Sequence, residues 1–156
     1  MADAPKLSTG EIVSAYPYLW LWQRDRGETD GRKERPVCVA VAAKGPDALT
    51  HLALLAITGT PPRDDQEAVE IPPLEIRRLG LNEHKQAWVV VSEYNYDVLE
   101  RSFSLDPSRR DKRRLSPGFL KVVLRAFRPT LASAQRALTG FSGSAEILRQ
   151  RCARRF

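Results

Sequence analysis

Two residues of this sequence, Arg35 and Thr58, can be brought together by counting alone, and together they could grip a phosphate. Arg35 heads the apolar run Arg35–Ala43 (RPVCVAVAA), and Thr58 follows the apolar run Leu49–Ile57 (LTHLALLAI). Between the runs, Gly45-Pro46-Asp47 is a turn signal, with proline preset for the second turn position. Opposed residues of an antiparallel hairpin have a constant sum of positions. A turn centred between Pro46 and Asp47 sets that sum so that Arg35 opposes Thr58 at the open end, with Cα atoms roughly 4.5–5.5 Å apart. A guanidinium offers paired donors to a phosphate, and a hydroxyl can orient it. The same residues also have a plain structural use, as an arginine paired to a carboxylate and a threonine of ordinary strand propensity. An odd-length turn would shift the register and break the pairing.

Other chemistries find little support. The histidines are His51 and His84 and the cysteines Cys38 and Cys152, and no pair has zinc-site spacing. There is no Walker pattern, no glycine-rich phosphate loop and no G-x-S-x-G elbow. No metal or cofactor is therefore expected. His51 lies within an apolar run and reads as a satisfied structural histidine, and His84 as a surface residue of a polar turn. The alternating Tyr16, Tyr18, Trp20 and Trp22 could stack single-stranded bases, but barrel core or a dimer interface is the commoner use of such a stripe. The run Arg109–Arg114 (RRDKRR) reads as a solvated basic loop or a phosphate track.

The elements that would position these groups are mostly short strands. Glu11–Trp22 has the period of a strand, with Pro17 marking an edge or a bulge. Gln23–Glu34 (QRDRGETDGRKE) is a charged loop of twelve residues, long enough to suggest function. The two runs flanking Gly45 are apolar on both faces, as in a closed core. Ala68–Ile71 is a short strand. Pro72-Pro73 opens a helical stretch over Leu74–Leu79 that Gly80 can end. Ala87–Tyr94 is a β-branched strand and Val98–Leu105 suggests one more. After Ser116-Pro117, Leu120, Val123, Leu124 and Phe127 form a helical stripe that packs on the sheet. Two weaker helical segments follow Pro129, separated by the flexible run 140–144. The expected fold is mainly β with appended helices: a small β-barrel over residues 1–128 and a basic helical extension over 129–156.

Composition adds a partner class. Of 156 residues, 25 are Lys or Arg and 19 Asp or Glu, but residues 107–156 hold thirteen of the bases and only two of the acids. A basic final third on an acidic body suggests a polyanionic partner, either nucleic acid or an acidic protein segment. Apolar runs reach six or seven residues against the roughly 20 a membrane helix needs, so no membrane association is expected. The opening residues lack a basic stretch leading into an apolar block, and the cysteines suggest no disulfide framework. A cytoplasmic location is expected.

These pieces resemble, in order, the MazF/PemK family of bacterial toxin ribonucleases. The matches are Gly10-Glu11-Ile12-Val13, Arg35-Pro36-Val37, Ala56-Ile57-Thr58, Val69-Glu70-Ile71, Leu79-Gly80-Leu81 and Val91-Ser92-Glu93-Tyr94-Asn95. A Y-x-Y-L-W start and a G-R-K-x-R-P loop bring the chain closest to a PemK-like branch, and the likeness spans roughly residues 9–127. It implies an SH3-like barrel, a homodimer, and metal-independent cleavage of single-stranded RNA. It also implies a cognate antitoxin that neutralises the toxin through an acidic tail. The family's catalytic arginine and threonine fall on Arg35 and Thr58. Substrate contacts are expected from Glu28, Asp30, Arg32, Lys33, Glu93 and Asn95, with Glu28 or Asp30 the candidate general base. The loop over 27–34 is longer and more charged than the family's usual one, and the tail beyond Pro129 has no counterpart in it. The rival expectations are a non-catalytic barrel that binds nucleic acid or protein, and a topoisomerase poison of the same fold, for which Arg35 and Thr58 would be dispensable.

Overall fold

Both apolar runs are strands that are covered on both faces. A computed structural model describes residues 7–81, 84–105 and 113–136. Cys152, residues 140–144 and most of the basic tail lie outside the described residues, as do Arg109–Lys112. Among the described residues the chain forms β1 (Ile12–Tyr16), α1 (Leu21–Asp25), β2 (Arg35–Lys44), β3 (Thr50–Thr58), β4 (Ala68–Glu70), α2 (Pro73–Arg78), β5 (Trp88–Val90), β6 (Asn95–Val98), a 3₁₀ turn (Leu99–Arg101) and α3 (Pro117–Arg136). The protein is mainly β, an antiparallel six-stranded sheet with a few helices. Its order is β1-β2-β3-β5-β4, with β6 also on β3. No described helix is long and apolar enough to cross a membrane.

Strand β3 organises the sheet. One edge pairs with β2, while on the other β6 takes His51–Leu54 and β5 takes Ile57–Thr58. Its alternate side chains go to two clusters. Ala53, Leu55 and Ile57 join Cys38, α2 (Ile76) and α3 (Phe119, Val123, Phe127). Leu52, Leu54 and Ala56 join Val37, Val39, Tyr16, Tyr18 and Trp20. Each fully buried Val, Leu, Ile or Phe contributes about 1.5–3 kcal/mol. Exposed ion pairs such as Arg24–Asp25 contribute about 0–1. The two clusters therefore dominate, and they leave Arg35 and Thr58 on the aromatic face, opposite α3.

The hairpin reaches the expected pairing by a route that counting did not foresee. Its turn is odd: Gly45 N–H bonds Leu49 O at 2.9 Å, and Ala48, at φ 63°, takes the left-handed position that closes a three-residue loop. Near the turn the register is consequently one residue off, with Ala43 opposite His51. A bulge at Ala40 then takes up the extra residue, so that Val37 faces Ala56. Extending that register by two residues sets Arg35 across from Thr58.

Three expected elements differ. The strand expected over Glu11–Trp22 ends at Tyr16, because Pro17 cannot continue the ladder. Residues beyond it turn into α1, whose start is held by Gln23 Oε1 accepting from Trp20 N–H at 3.0 Å. The strand expected over Val98–Leu105 is instead the end of β6 and a 3₁₀ turn. Pro129 does not end α3. It lies on the exposed side, and beyond it Thr130 donates to Val91 O at 2.6 Å while Leu131 packs on the core. Those contacts offset the roughly 3 kcal/mol that an interior proline costs a helix.

Of the basic run, Arg113 and Arg114 are structural. Arg113 donates to Ser14 Oγ at 2.7 Å and to Leu79 O, and Arg114 donates to Ser8 Oγ and Thr9 O at 3.0 Å each. His51 is fully buried and hydrogen-bonds Tyr96 Oη at 2.7 Å and Asp47 at 3.1 Å, as a satisfied structural histidine does.

Gly31 fixes the loop before β2, since a β-carbon there would fall 2.3 Å from Pro17 O. Gly31→Ala is expected to lower unfolding stability by about 1–3 kcal/mol, because backbone must give way. Ala48→Gly relieves a left-handed alanine and is expected to raise it by up to about 1 kcal/mol. Denaturant midpoints of the two variants check both signs.

Candidate functional site

At the open end of the hairpin lies a cavity of about 190 Å³, lined by Trp20, Trp22, Arg35, Thr58, Thr60, Pro61, Arg63 and Gln66. Arg35 enters it from the first position of β2 and Thr58 from the last of β3. Burial holds the Arg35 guanidinium below its ordinary pKa, with nearby Tyr18 opposing that shift. It remains a cation at any pH at which the protein is folded. Its carbon lies 4.9 Å from the Trp20 ring centroid. No described carboxylate pairs with it, and its Nε is buried without a hydrogen-bond partner. A cation–π contact contributes roughly 0.5–2 kcal/mol, which only partly offsets the desolvation of a guanidinium.

Thr58 is buried, and its Oγ1 accepts from Thr60 N–H at 3.1 Å. That bond fixes the hydroxyl and leaves its proton to donate. The cavity thus presents two donor-only cations, two threonine hydroxyls, two indoles and the Gln66 amide. These groups suit a phosphate flanked by planar rings.

No family model matches this chain, and no curated protein or solved structure matches it either.

Of the residues singled out in the sequence, Arg35, Thr58, Trp20 and Trp22 line the cavity, and the six expected substrate contacts do not. Glu28 grips Arg32 through two hydrogen bonds of 2.7 and 2.8 Å, and Arg32 chiefly lowers the Glu28 carboxyl pKa. A carboxylate so held is a weakened base. Asp30 and Lys33 are exposed on the loop.

Glu93 and Asn95 lie behind the cavity wall. Asn95 accepts from Leu19 N–H and donates to Leu19 O, both at 2.8 Å. Glu93 accepts from Tyr18 Oη at 3.2 Å and from Leu21 N–H at 3.0 Å. Both are buried, and they clamp the segment that carries Trp20 and Trp22. Their place is that of positioning residues rather than substrate contacts.

Sequence reasoning did not single out Thr60, Arg63 or Gln66. It read the two tryptophans as a strand stripe, whereas Arg35 lies against Trp20, and Arg26, Arg32 and Arg63 against Trp22. The available signal was Trp22 standing among the arginines of the charged loop. His84 lies against Gly59, next to Thr58, but does not line the cavity. Among the described residues no three His, Cys, Asp or Glu side chains gather as a metal site.

Burial raises the Glu93 pKa, overriding the hydrogen bonds from Leu21, Tyr18 and Gln66 that lower it. The unfolded chain therefore ionises this group at lower pH than the folded one, so Glu93 increasingly costs stability as pH rises from about 4. Glu93→Gln keeps an acceptor for Tyr18 and Leu21. Its stability relative to wild type is expected to increase between pH 4 and 7. Paired denaturation curves across that range check it, and a constant difference contradicts it.

Proposed function

We propose that this protein is a toxin endoribonuclease of the MazF/PemK kind that cleaves single-stranded RNA without a metal. In this reading the sheet belongs to an SH3-like barrel, the protein acts as a homodimer, and an antitoxin with an acidic tail covers the basic site. The observation that carries the proposal is the Arg35 guanidinium, half-buried beside Thr58 and, among the described residues, without a carboxylate and with its Nε unpaired. An arginine serving only the fold would be expected to have an acidic partner. The ordered motifs around both residues support the same reading.

The reaction follows from the groups present. A phosphodiester enters the cavity with its non-bridging oxygens on Arg35 and Thr58. The neighbouring 2′-hydroxyl attacks phosphorus in line and loses its proton to a base. The O2′–P bond forms, negative charge grows on the equatorial oxygens, and the P–O5′ bond breaks as the leaving oxygen takes up a proton. Arg35 is suited to stabilising the developing charge, and a guanidinium held below its ordinary pKa is the better donor to the leaving oxygen. Arg35 is no base. Thr58, already fixed by Thr60, orients the phosphate.

The test is incubation of the purified protein with defined single-stranded RNA in EDTA, followed by mapping of the product ends. Cleavage is expected to persist and to leave 2′,3′-cyclic phosphate and 5′-hydroxyl ends. Arg35→Ala is expected to slow it by about 10²–10³-fold and Thr58→Val by at least about tenfold. His84→Ala leaves it within about threefold, since that ring stands outside the cavity. Full activity of Arg35→Ala refutes the assignment.

A further inference from the structure

The rim of the cavity carries more positive charge than the Arg35–Thr58 chemistry uses. The guanidinium carbons of Arg26, Arg32 and Arg63 lie 5.3, 5.2 and 5.2 Å from the centroid of the Trp22 ring. They come from three stretches of chain: the end of α1, the loop before β2, and the segment after β3. An indole has two faces, and cations gathered on one ring repel each other. Neutralisation is incomplete. Glu28 takes Arg32, and Asp65 stands 3.9 Å from Arg63 in an exposed pair. No described carboxylate lies within 4.0 Å of Arg26.

The cavity is also too small to enclose a strand. Its 190 Å³ is well short of the roughly 300 Å³ at which pockets begin to enclose drug-sized ligands. The rest of a bound strand must run outside. Trp22 and Arg63 line the cavity and also belong to the cation cluster, so a strand leaving the cavity on that side meets the cluster first.

We infer that Trp22 is the post of a second phosphate site, holding Arg26 and Arg63 ready for the phosphodiester next to the one gripped by Arg35 and Thr58. This rests on the ribonuclease reading and deepens it: the ligand is a flexible strand with successive phosphates. Free arginine side chains lose rotamer freedom on binding an anion. Arginines already laid on an indole have lost part of it beforehand. Trp22 is thus a positioning residue that acts through the guanidiniums.

The test is the binding of a single-stranded 2′-O-methyl oligoribonucleotide, which has no nucleophile, by fluorescence anisotropy from about 50 to 300 mM salt. Each phosphate contact on a single strand contributes about 0.7 to the slope of log affinity against log salt. Arg26→Gln/Arg63→Gln, on exposed side chains, is expected to lower the slope by about 0.7–1.4. Trp22→Ala is expected to weaken binding about tenfold and to lower the slope in the same sense, whereas Trp22→Phe, keeping a ring, restores both. Wild-type slopes in the double arginine variant, with binding and cleavage by wild type intact, overturn this site alone. A wild-type protein that binds no strand overturns the site and the ribonuclease reading together.

Discussion

A half-buried guanidinium with no carboxylate partner among the described residues is the constraint around which this end of the molecule is built. Leaving its Nε unpaired costs about 1–3 kcal/mol and more for a charged group, against total stabilities of only about 5–15 kcal/mol for a domain. The aromatic face of the sheet returns part of that cost through the Trp20 ring. Shifting either Trp20 or the start of β2 would let the guanidinium swing to water, so the surrounding structure has to hold both.

It does so from two directions. The bulge at Ala40 restores the register that brings β2 and the end of β3 together. On the other side Asn95 and Glu93 clamp residues 18–21, and Gly31 lets the charged loop lie directly on the backbone of Pro17 and Tyr18. The buried Glu93 carboxyl is itself held above the usual carboxylate range by burial, a second electrostatic cost within the same wall. Two costly groups supporting one cavity suggest that its shape matters more than its contribution to stability.

The sequence was most legible where burial is continuous. The β2 and β3 runs, the turn between them, the α2 stop at Gly80 and the α3 stripe follow from patterns that depend on neighbouring residues alone. The juxtaposition of Arg35 and Thr58 was also readable, but through two errors that cancelled: an odd turn closed by a left-handed alanine, and a bulge of the opposite sense. Neither leaves a mark in the residue types, since Ala48 is a plain alanine in an exposed turn and Ala40 one in an apolar strand. The segment after Pro17 misled because Tyr18, Trp20 and Trp22 keep a strand's alternation after the ladder has ended. Glu93 and Asn95 resembled substrate contacts since only tertiary structure reveals that their partners are the amides of Leu21 and Leu19. Arg63 and Gln66 were missed because nothing local distinguishes a cavity wall from a polar loop.

The most direct measurement is the guanidinium Nη–Hη nuclear magnetic resonance signal of Arg35, assigned by its loss in Arg35→Lys and followed as a 2′-O-methyl oligoribonucleotide is added. The Nε is buried, so the account requires the Nη donors to acquire the phosphate, and their proton resonances should move downfield and exchange more slowly with water as the strand binds. An oligonucleotide that binds while the signal stays unchanged would place the phosphate elsewhere and contradict the account.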